Sequence, residues 1–417
     1  EAFDYPASLF APRLHRPRRP SPDRAELADA VATMRRSERP LIVAGGGVLY
    51  AEAADALAGF ASRHGIPVAE TQAGKGALPA GHPLAAGAIG VTGTAAANTL
   101  AREADVVLAI GTRLADFTTG SRALWPSGTR LIGLNVQAFD AGKHGGSPLI
   151  GDALVTLTAL GEALDGWASK PGWQERVAEL RASWDAEAAR AVGAGNERPG
   201  DAQVLGAVNR VAGPEDVVVG AAGGLPGELH KLWRTHRPGG YHLEYGFSCM
   251  GYEIAGGLGV RLARDAGEVF VMLGDGSYLM MNSELQTAVR MGKKLIVVVL
   301  DNRGFGCIDR LQRACGGSSF NNLLPEAEAW VDFAAHARAL GADAAAVDSV
   351  AGLETALEAA KRSERTTVIV IATDPQRATR AGGAWWDVAV PEVSARAEVG
   401  AARSAYERAV AARDAGA

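Results

Sequence analysis

Two oxygen-bearing side chains stand out in the stretch "LGDGSYLMMNSELQTAVRMGKKLIVVVLDNRGFG", residues 273–306: Asp275, flanked by glycines, and Asn302, followed by Arg-Gly. A carboxylate and an amide carbonyl are hard oxygen ligands. Together they suit Mg²⁺, which takes few protein ligands and completes its octahedron with phosphate oxygens and water. Gly276 lets the backbone approach an anion, and Ser277 can donate a hydrogen bond where helix N–H groups favour phosphate. Gly304 is free to turn its carbonyl toward a metal. The pattern is that of a magnesium-diphosphate site; its bland counterpart is a βαβ unit with two polar turns.

Asp275 and Asn302 lie 27 positions apart, so the fold has to bring them together. The segment "SELQTAVRM" is rich in helix formers, and Gly292 supplies a C-terminal stop before Lys293 and Lys294. Apolar runs on either side, 268–273 and 294–300, read as strands. Strand, helix and parallel strand make a right-handed crossover, which delivers both strand ends to the same sheet edge. That edge is where open α/β sheets bind ligands.

The same alternation recurs along the chain. Strands are predicted at 39–48, 66–70, 105–113 and 130–136, with helical stretches such as "AAANTLAREA" between them. A second set is predicted at 216–220, 268–273, 294–300 and 366–373. Near-continuous apolar strands separated by helices indicate parallel sheets covered on both faces. The fold class is therefore α/β, with two doubly wound parallel-sheet domains. The expected layout is a linker at 1–24, a central domain at 25–165, a helical connector at 166–200, a diphosphate-binding domain at 201–390 and a helical tail at 391–417. The tail, a polar Ala/Arg helix, is expected to pack on a neighbour or to fray.

Composition narrows the class. The chain has 417 residues, 47% hydrophobic and 21% charged, a profile of globular α/β proteins. A net charge of −5 gives no nucleic-acid surface, and the basic run at 13–20 is short, proline-broken and linker-like. No apolar run approaches the ~20 residues of a membrane helix. Cys249, Cys307 and Cys315 form no CxxC pair and leave one over, which points to a reducing, cytoplasmic setting without disulfides. The sequence opens without Met in linker-like residues, as a fragment would.

The residues carry a resemblance. "GDG", the 24 residues from Ser277 to Leu300 and then Asp-Asn resemble the motif of thiamine-diphosphate enzymes, usually GDG, a similar gap and Asn-Asn. Asp301 stands where the family has its first Asn, which leaves the ligand Asn302 in place and makes the site more negative. Blocks such as "HLEYGFSCMGYEIAGGLG", "DNRGFGCIDRLQRACGG", "VAETQAGKGALP" and "GTRLADFTTGS" resemble, over nearly the whole chain, the trihydroxycyclohexane-1,2-dione hydrolases of inositol catabolism.

The resemblance implies thiamine diphosphate and Mg²⁺ as cofactors. It implies Asp275, Asn302 and Gly304 as metal ligands, with Gly276, Ser277 and Phe305 beside the cofactor. Gly223, Gly224 and Leu225 match a loop that cradles the diphosphate. Met250 matches the residue that props the cofactor into its bent form, its N–H reaching the pyrimidine while the Ser248 carbonyl meets the amino group. The implied reaction is hydrolytic opening of a cyclic dione to 5-deoxy-glucuronate. Family members carry pyrimidine-binding, central and diphosphate-binding domains in that order, and this sequence matches the last two. The activating Glu is accordingly expected in a pyrimidine-binding domain of the same or a partner subunit, within a homodimer or homotetramer. Glu70 does not match it.

Other readings stand beside this one. His242 and Glu244 are candidate substrate contacts or structural loop residues. "GGG" at 45–47 lacks the GxGxxG spacing of nucleotide sites and reads as a tight turn. Cys249 and Cys307 read as small packing residues, and Asp309 and Arg310 as caps of the following helix. The alternative functions are another thiamine-diphosphate carboligase or decarboxylase, such as an acetohydroxyacid-synthase relative, and a non-catalytic diphosphate-binding module.

Overall fold

The structure is a computed structural model that describes residues 2–193, 195 and 197–416. Six strands form the first sheet: β1 Pro40–Ala44, β2 Val68–Glu70, β3 Ala85–Ala88, β4 Val106–Ile110, β5 Arg130–Asn135 and β6 Ser147–Ile150. Their order is β3-β2-β1-β4-β5-β6, and every pairing is parallel. The second sheet contains β7 Val217–Gly220, β8 Tyr241–Leu243, β9 Val269–Gly274, β10 Ile296–Asp301, β11 Asp343–Val347 and β12 Thr367–Ala372. It runs β11-β12-β10-β9-β7-β8, again all parallel.

Helices cover both faces of each sheet. Every residue of β1 and β4 is buried, so these strands read as continuous Val/Ile/Leu/Ala runs rather than alternating ones. In the second sheet Val298 packs on one face and Val297 and Val299 on the other. Each such side chain contributes about 1.5–3 kcal/mol of transfer free energy. The four strands β3, β6, β8 and β11 escape the sequence pattern. Their sequences AAGA, SPLI, YHL and DAAAV are short and mostly poor in β-branched residues, and their neighbours in the sheet decide their conformation.

The crossover that carries Asp275 differs from expectation in one respect. Asp275 is not in a turn: it opens a helix, Asp275–Met280, which ends at Met281 (φ −149°, ψ 58°) before a second helix, Ser283–Arg290. Gly292 then stops the chain with φ +61°, as the pattern predicts. The parallel register sets Leu300 beside Gly274. The residues following β9 and β10 therefore emerge side by side.

Two further segments tie the two sheets together, and the C-terminal helix packs beside one of them. The helix Pro171–Ala191 packs Trp173 against the first sheet's core, where its indole N–H donates to the Pro40 carbonyl at 2.9 Å, and Trp184 against the second. The C-terminal helix, Ala397–Gly416, packs on its own chain instead of fraying. Asp387 receives the Tyr406 hydroxyl at 2.8 Å and Arg413 at 2.7 Å. Before it, the chain returns to the first domain, where the Trp386 indole donates to Asp116 at 3.0 Å. The triple glycine is not the expected turn: Gly45 caps and Gly46 and Gly47 open a short helix, Gly46–Tyr50, packed so closely that a Cβ on Gly47 would lie 2.6 Å from the Gly111 Cα. Among the described residues no helix is long and apolar enough to cross a membrane.

Candidate functional site

Both sheets present their C-terminal edges to a cavity of about 920 Å³. Gly46 and Thr112 line it from the first sheet, and Gly223, Met250, Asp275 and Asn302 from the second. The two edges are held in register by buried polar contacts. Gln72 donates to the Pro226 carbonyl at 3.1 Å and accepts the Tyr241 hydroxyl at 2.7 Å. His230 meets the Glu70 carbonyl through Nε2 at 3.0 Å and the Thr92 hydroxyl through Nδ1 at 2.9 Å. Burial, with Lys75 nearby, pushes His230 down to about 3. Its ring is therefore neutral, with the proton on Nε2 donated to the carbonyl.

Asp275 is fully buried. Its carboxylate accepts the Gly276 N–H at 2.7 Å and, across the strand ends, the Gly304 N–H at 2.9 Å. Burial, then the adjacent Asp301 carboxyl, pushes Asp275 up to about 7, against those two N–H bonds. Asn302 lies beside it, and its amide Oδ1 is buried with no hydrogen-bond partner. An orphaned carbonyl oxygen is costly, and a raised carboxyl next to a second one lacks compensating positive charge. A hard cation answers both. Among the described residues no three His, Cys, Asp or Glu side chains converge as a metal nest. An ion here would take its remaining oxygens from a ligand and water, as Mg²⁺ does in phosphate sites. The residues fit magnesium.

Asp301, the departure from the family pattern, is fixed from behind. Its Oδ1 accepts the Arg303 N–H and the Trp330 indole N–H, both at 3.0 Å. Arg303 stacks its guanidinium 5.6 Å from the centre of the Trp330 ring.

Two glycines with tightly set backbones lie around this pair. Gly223 adopts φ +91°, a left-handed conformation suited to glycine, just before the helix Leu225–Leu232. Gly276 is equally constrained, since a Cβ there would lie 2.8 Å from the Phe305 ring and 3.5 Å from the Met250 methyl. Met250 and Phe305 thus converge over the first turn of the Asp275–Met280 helix. The Ser277 hydroxyl is not available to an anion. It donates to Glu253 at 2.7 Å and accepts the Gly251 N–H at 2.7 Å. Only the backbone N–H of Ser277 remains for the expected role, because a buried carboxylate is the stronger acceptor.

Glu253, which sequence reasoning overlooked, is 1% exposed and binds the Gly251 N–H at 3.0 Å through the oxygen that also takes Ser277. Burial raises its carboxyl despite these donors. The signal lies in "MGYE": a glutamate two residues after a Gly cap, in the first turn of a mostly apolar helix, needs a partner.

The 244–250 loop is pinned at its other end by Glu244, which accepts the Phe247 N–H at 3.0 Å and the Cys249 N–H at 2.7 Å. Slight burial opposes these bonds, and they prevail to hold the carboxyl below its usual range. Glu244 lines the cavity with its carboxylate already engaged. His242 does not line it: Nε2 meets the Tyr252 hydroxyl at 2.6 Å, and the two rings stack. Ser248 sits in the loop with φ +54°, exposed beside Met250.

Neither Asp309 nor Arg310 caps a helix, since both lie inside Gly306–Ala314. Asp309 is buried and gathers Ser319, Arg313 and Gln376 at 2.6–2.8 Å, whereas Arg310 faces the cavity. Cys307 also lines the cavity, with a thiol pushed up by burial, opposite to what a nucleophile needs. Glu70 is buried outside the cavity, accepting the Gly76 and Leu78 N–H groups at 3.0 Å.

Comparison with known proteins agrees with this geometry. Residues 27–160 match the model of the thiamine pyrophosphate enzyme central domain, and residues 221–371 that of the C-terminal TPP binding domain. The chain is similar to a 3D-(3,5/4)-trihydroxycyclohexane-1,2-dione hydrolase of Geobacillus thermodenitrificans, 40% identical over 96% of this chain and 68% of the relative. It is also similar to the protein of that name in Bacillus anthracis, 39% identical over 98% of this chain and 68% of the relative. A Bacillus cereus protein, 3D-(3,5/4)-trihydroxycyclohexane-1,2-dione hydrolase 2, is 40% identical over the same shares.

Proposed function

The chain belongs to the trihydroxycyclohexane-1,2-dione hydrolase family of thiamine-diphosphate enzymes, and on that premise we propose that it serves hydrolytic C–C cleavage of the cyclic dione to 5-deoxy-D-glucuronate in inositol breakdown. The observation that carries the reading is the buried Asp275 beside the orphaned Oδ1 of Asn302. The pair lies at the ends of adjacent parallel strands and inside a cavity of about 920 Å³ lined from both sheets.

Asp275, Asn302 and the Gly304 carbonyl would hold Mg²⁺. The N–H groups around Gly223, Gly224 and Leu225, and those of Gly276 and Ser277, would bind the diphosphate oxygens. Met250, backed by Phe305, would prop the cofactor from below, with its own N–H and the Ser248 carbonyl directed to the pyrimidine. When bound, the cofactor supplies a nucleophilic carbon and an electron sink for the bond that breaks. The chain's residues contribute position. Glu244 and Glu253 fix the two ends of the Met250 loop, and the Gln72 and His230 contacts fix the first sheet's edge against the second. With those contacts the walls of the cavity are set before any ligand arrives, which lowers the ordering cost of binding.

The chain spans 68% of the length of the relatives named above. We assign the acid that activates the pyrimidine to a pyrimidine-binding domain of the same or a partner subunit, in a homodimer or homotetramer. The three free cysteines suit a cytoplasmic location.

The test follows loss of the cyclic dione with thiamine diphosphate and Mg²⁺. The 417 residues are assayed alone and with a separately expressed pyrimidine-binding domain from a relative, and pyruvate serves as a competing substrate. Cleavage of the dione by the combined domains supports the reading. Turnover of pyruvate without the dione refutes it.

A further inference from the structure

Arg310 lines the same cavity from the side of the Gly223–Gly224 turn. It projects from the helix Gly306–Ala314 into the cavity, and its guanidinium presses on the Gly223–Gly224 turn. A Cβ on Gly224 would lie 2.3 Å from one terminal nitrogen, and one on Gly306 would lie 3.5 Å from the other. The nitrogen nearer Gly306 also donates to the Pro375 carbonyl. Arg313, one turn along, pairs with Asp309 at 2.7 Å. Arg310 makes no such ion pair among the described residues. Asp201 is the nearest carboxylate to the same turn, with Oδ2 3.7 Å from a Cβ on Gly224. Its carboxyl is pushed up to about 6 by burial, opposed by Arg310 and helped by Glu228.

An arginine half-withdrawn from water, held by one backbone carbonyl and aimed at a glycine turn, is set for an anion. Its planar fork matches a pair of phosphate oxygens, which an ammonium cannot do. A side chain at Gly224 would displace the guanidinium from this place. Magnesium alone leaves a bound diphosphate with residual negative charge, and the cradle's other donors are neutral N–H groups. We propose that Arg310 contacts the diphosphate directly, as a cationic side chain of the cradle, bridging it to the Gly223–Gly224 turn. The inference rests on the reading of this cavity as a diphosphate site.

The experiment measures calorimetric affinity of the 417-residue chain for inorganic diphosphate with Mg²⁺, for thiamine diphosphate with Mg²⁺ and for thiamine. Wild type, Arg310→Gln and Arg310→Lys are compared, with thermal melts to check folding. Loss of a charge-assisted pair weakens both diphosphate ligands by about 10- to 100-fold in Arg310→Gln. Arg310→Lys recovers part of that loss, and thiamine binding stays within about twofold. Unchanged diphosphate affinity in a folded Arg310→Gln overturns the inference. So does a uniform weakening that includes thiamine, the mark of an arginine that merely supports the Pro375 segment. If Arg310→Gln fails to fold, Arg310→Lys decides: full wild-type affinity there excludes a bidentate contact. Failure of the wild type to bind Mg²⁺-diphosphate would instead remove the diphosphate site itself, and the inference with it.

Discussion

One oxygen of Glu253 accepts the Ser277 hydroxyl at 2.7 Å and the Gly251 N–H at 3.0 Å. A glutamate at the start of one helix thereby joins the Met250–Gly251 turn to the first turn of the Asp275 helix. The Met250–Gly251 turn and the start of the Asp275 helix are held by the same carboxyl group, which burial raises.

Replacing Glu253 with Ala is expected to cost about 1–3 kcal/mol of stability, since the Ser277 hydroxyl loses its buried acceptor. Affinity for thiamine diphosphate should weaken about 10-fold as the Met250 loop loosens. Glu253→Gln keeps an acceptor oxygen and should recover most of both. Chemical denaturation and calorimetry measure the two effects. An alanine variant with wild-type stability and affinity would show that the link does nothing.

Stability should fall in acid in a way that depends on His230. Its folded pKa, about 3, lies far below the usual imidazole value of 6.5. The unfolded chain therefore takes up a proton that the folded one refuses. The contribution is fully present above about pH 6.5 and is lost as pH falls toward 3. Between pH 7 and pH 5 the loss is about 2 kcal/mol. A His230→Gln variant should have a flatter stability profile over that interval, measured by urea unfolding at a series of pH values. Identical slopes for the two proteins would mean that His230 is not held neutral at the interface between the sheets.

Much of this arrangement is legible in the sequence because it follows from short-range rules. Long apolar runs became β1, β4, β9, β10 and β12, and a parallel crossover necessarily brings Asp275 and Asn302 to one edge. Gly223 and Gly276 announce themselves as glycines next to candidate anion contacts. Glu253 and Arg310 do not, because their partners come from elsewhere in the chain: Ser277 24 positions on, and the Gly224 turn 86 positions back. The Ser277 hydroxyl reads as an anion donor because nothing local reveals the glutamate that takes it. The strands β3 and β11 are Ala-rich, and tertiary pairing overrides their weak local preference.

The central claim is that Asp275 and Asn302 hold the metal that fastens thiamine diphosphate. Titration of the cofactor into the wild-type chain and into Asp275→Ala, each with Mg²⁺ and with a chelator, tests it most directly. Binding by the wild type should require Mg²⁺. Asp275→Ala should fold, lose at least about 100-fold in affinity, and bind equally weakly with or without the ion. Wild-type binding that persists undiminished in the chelator, or a folded Asp275→Ala variant that keeps Mg²⁺-dependent affinity, would contradict the account.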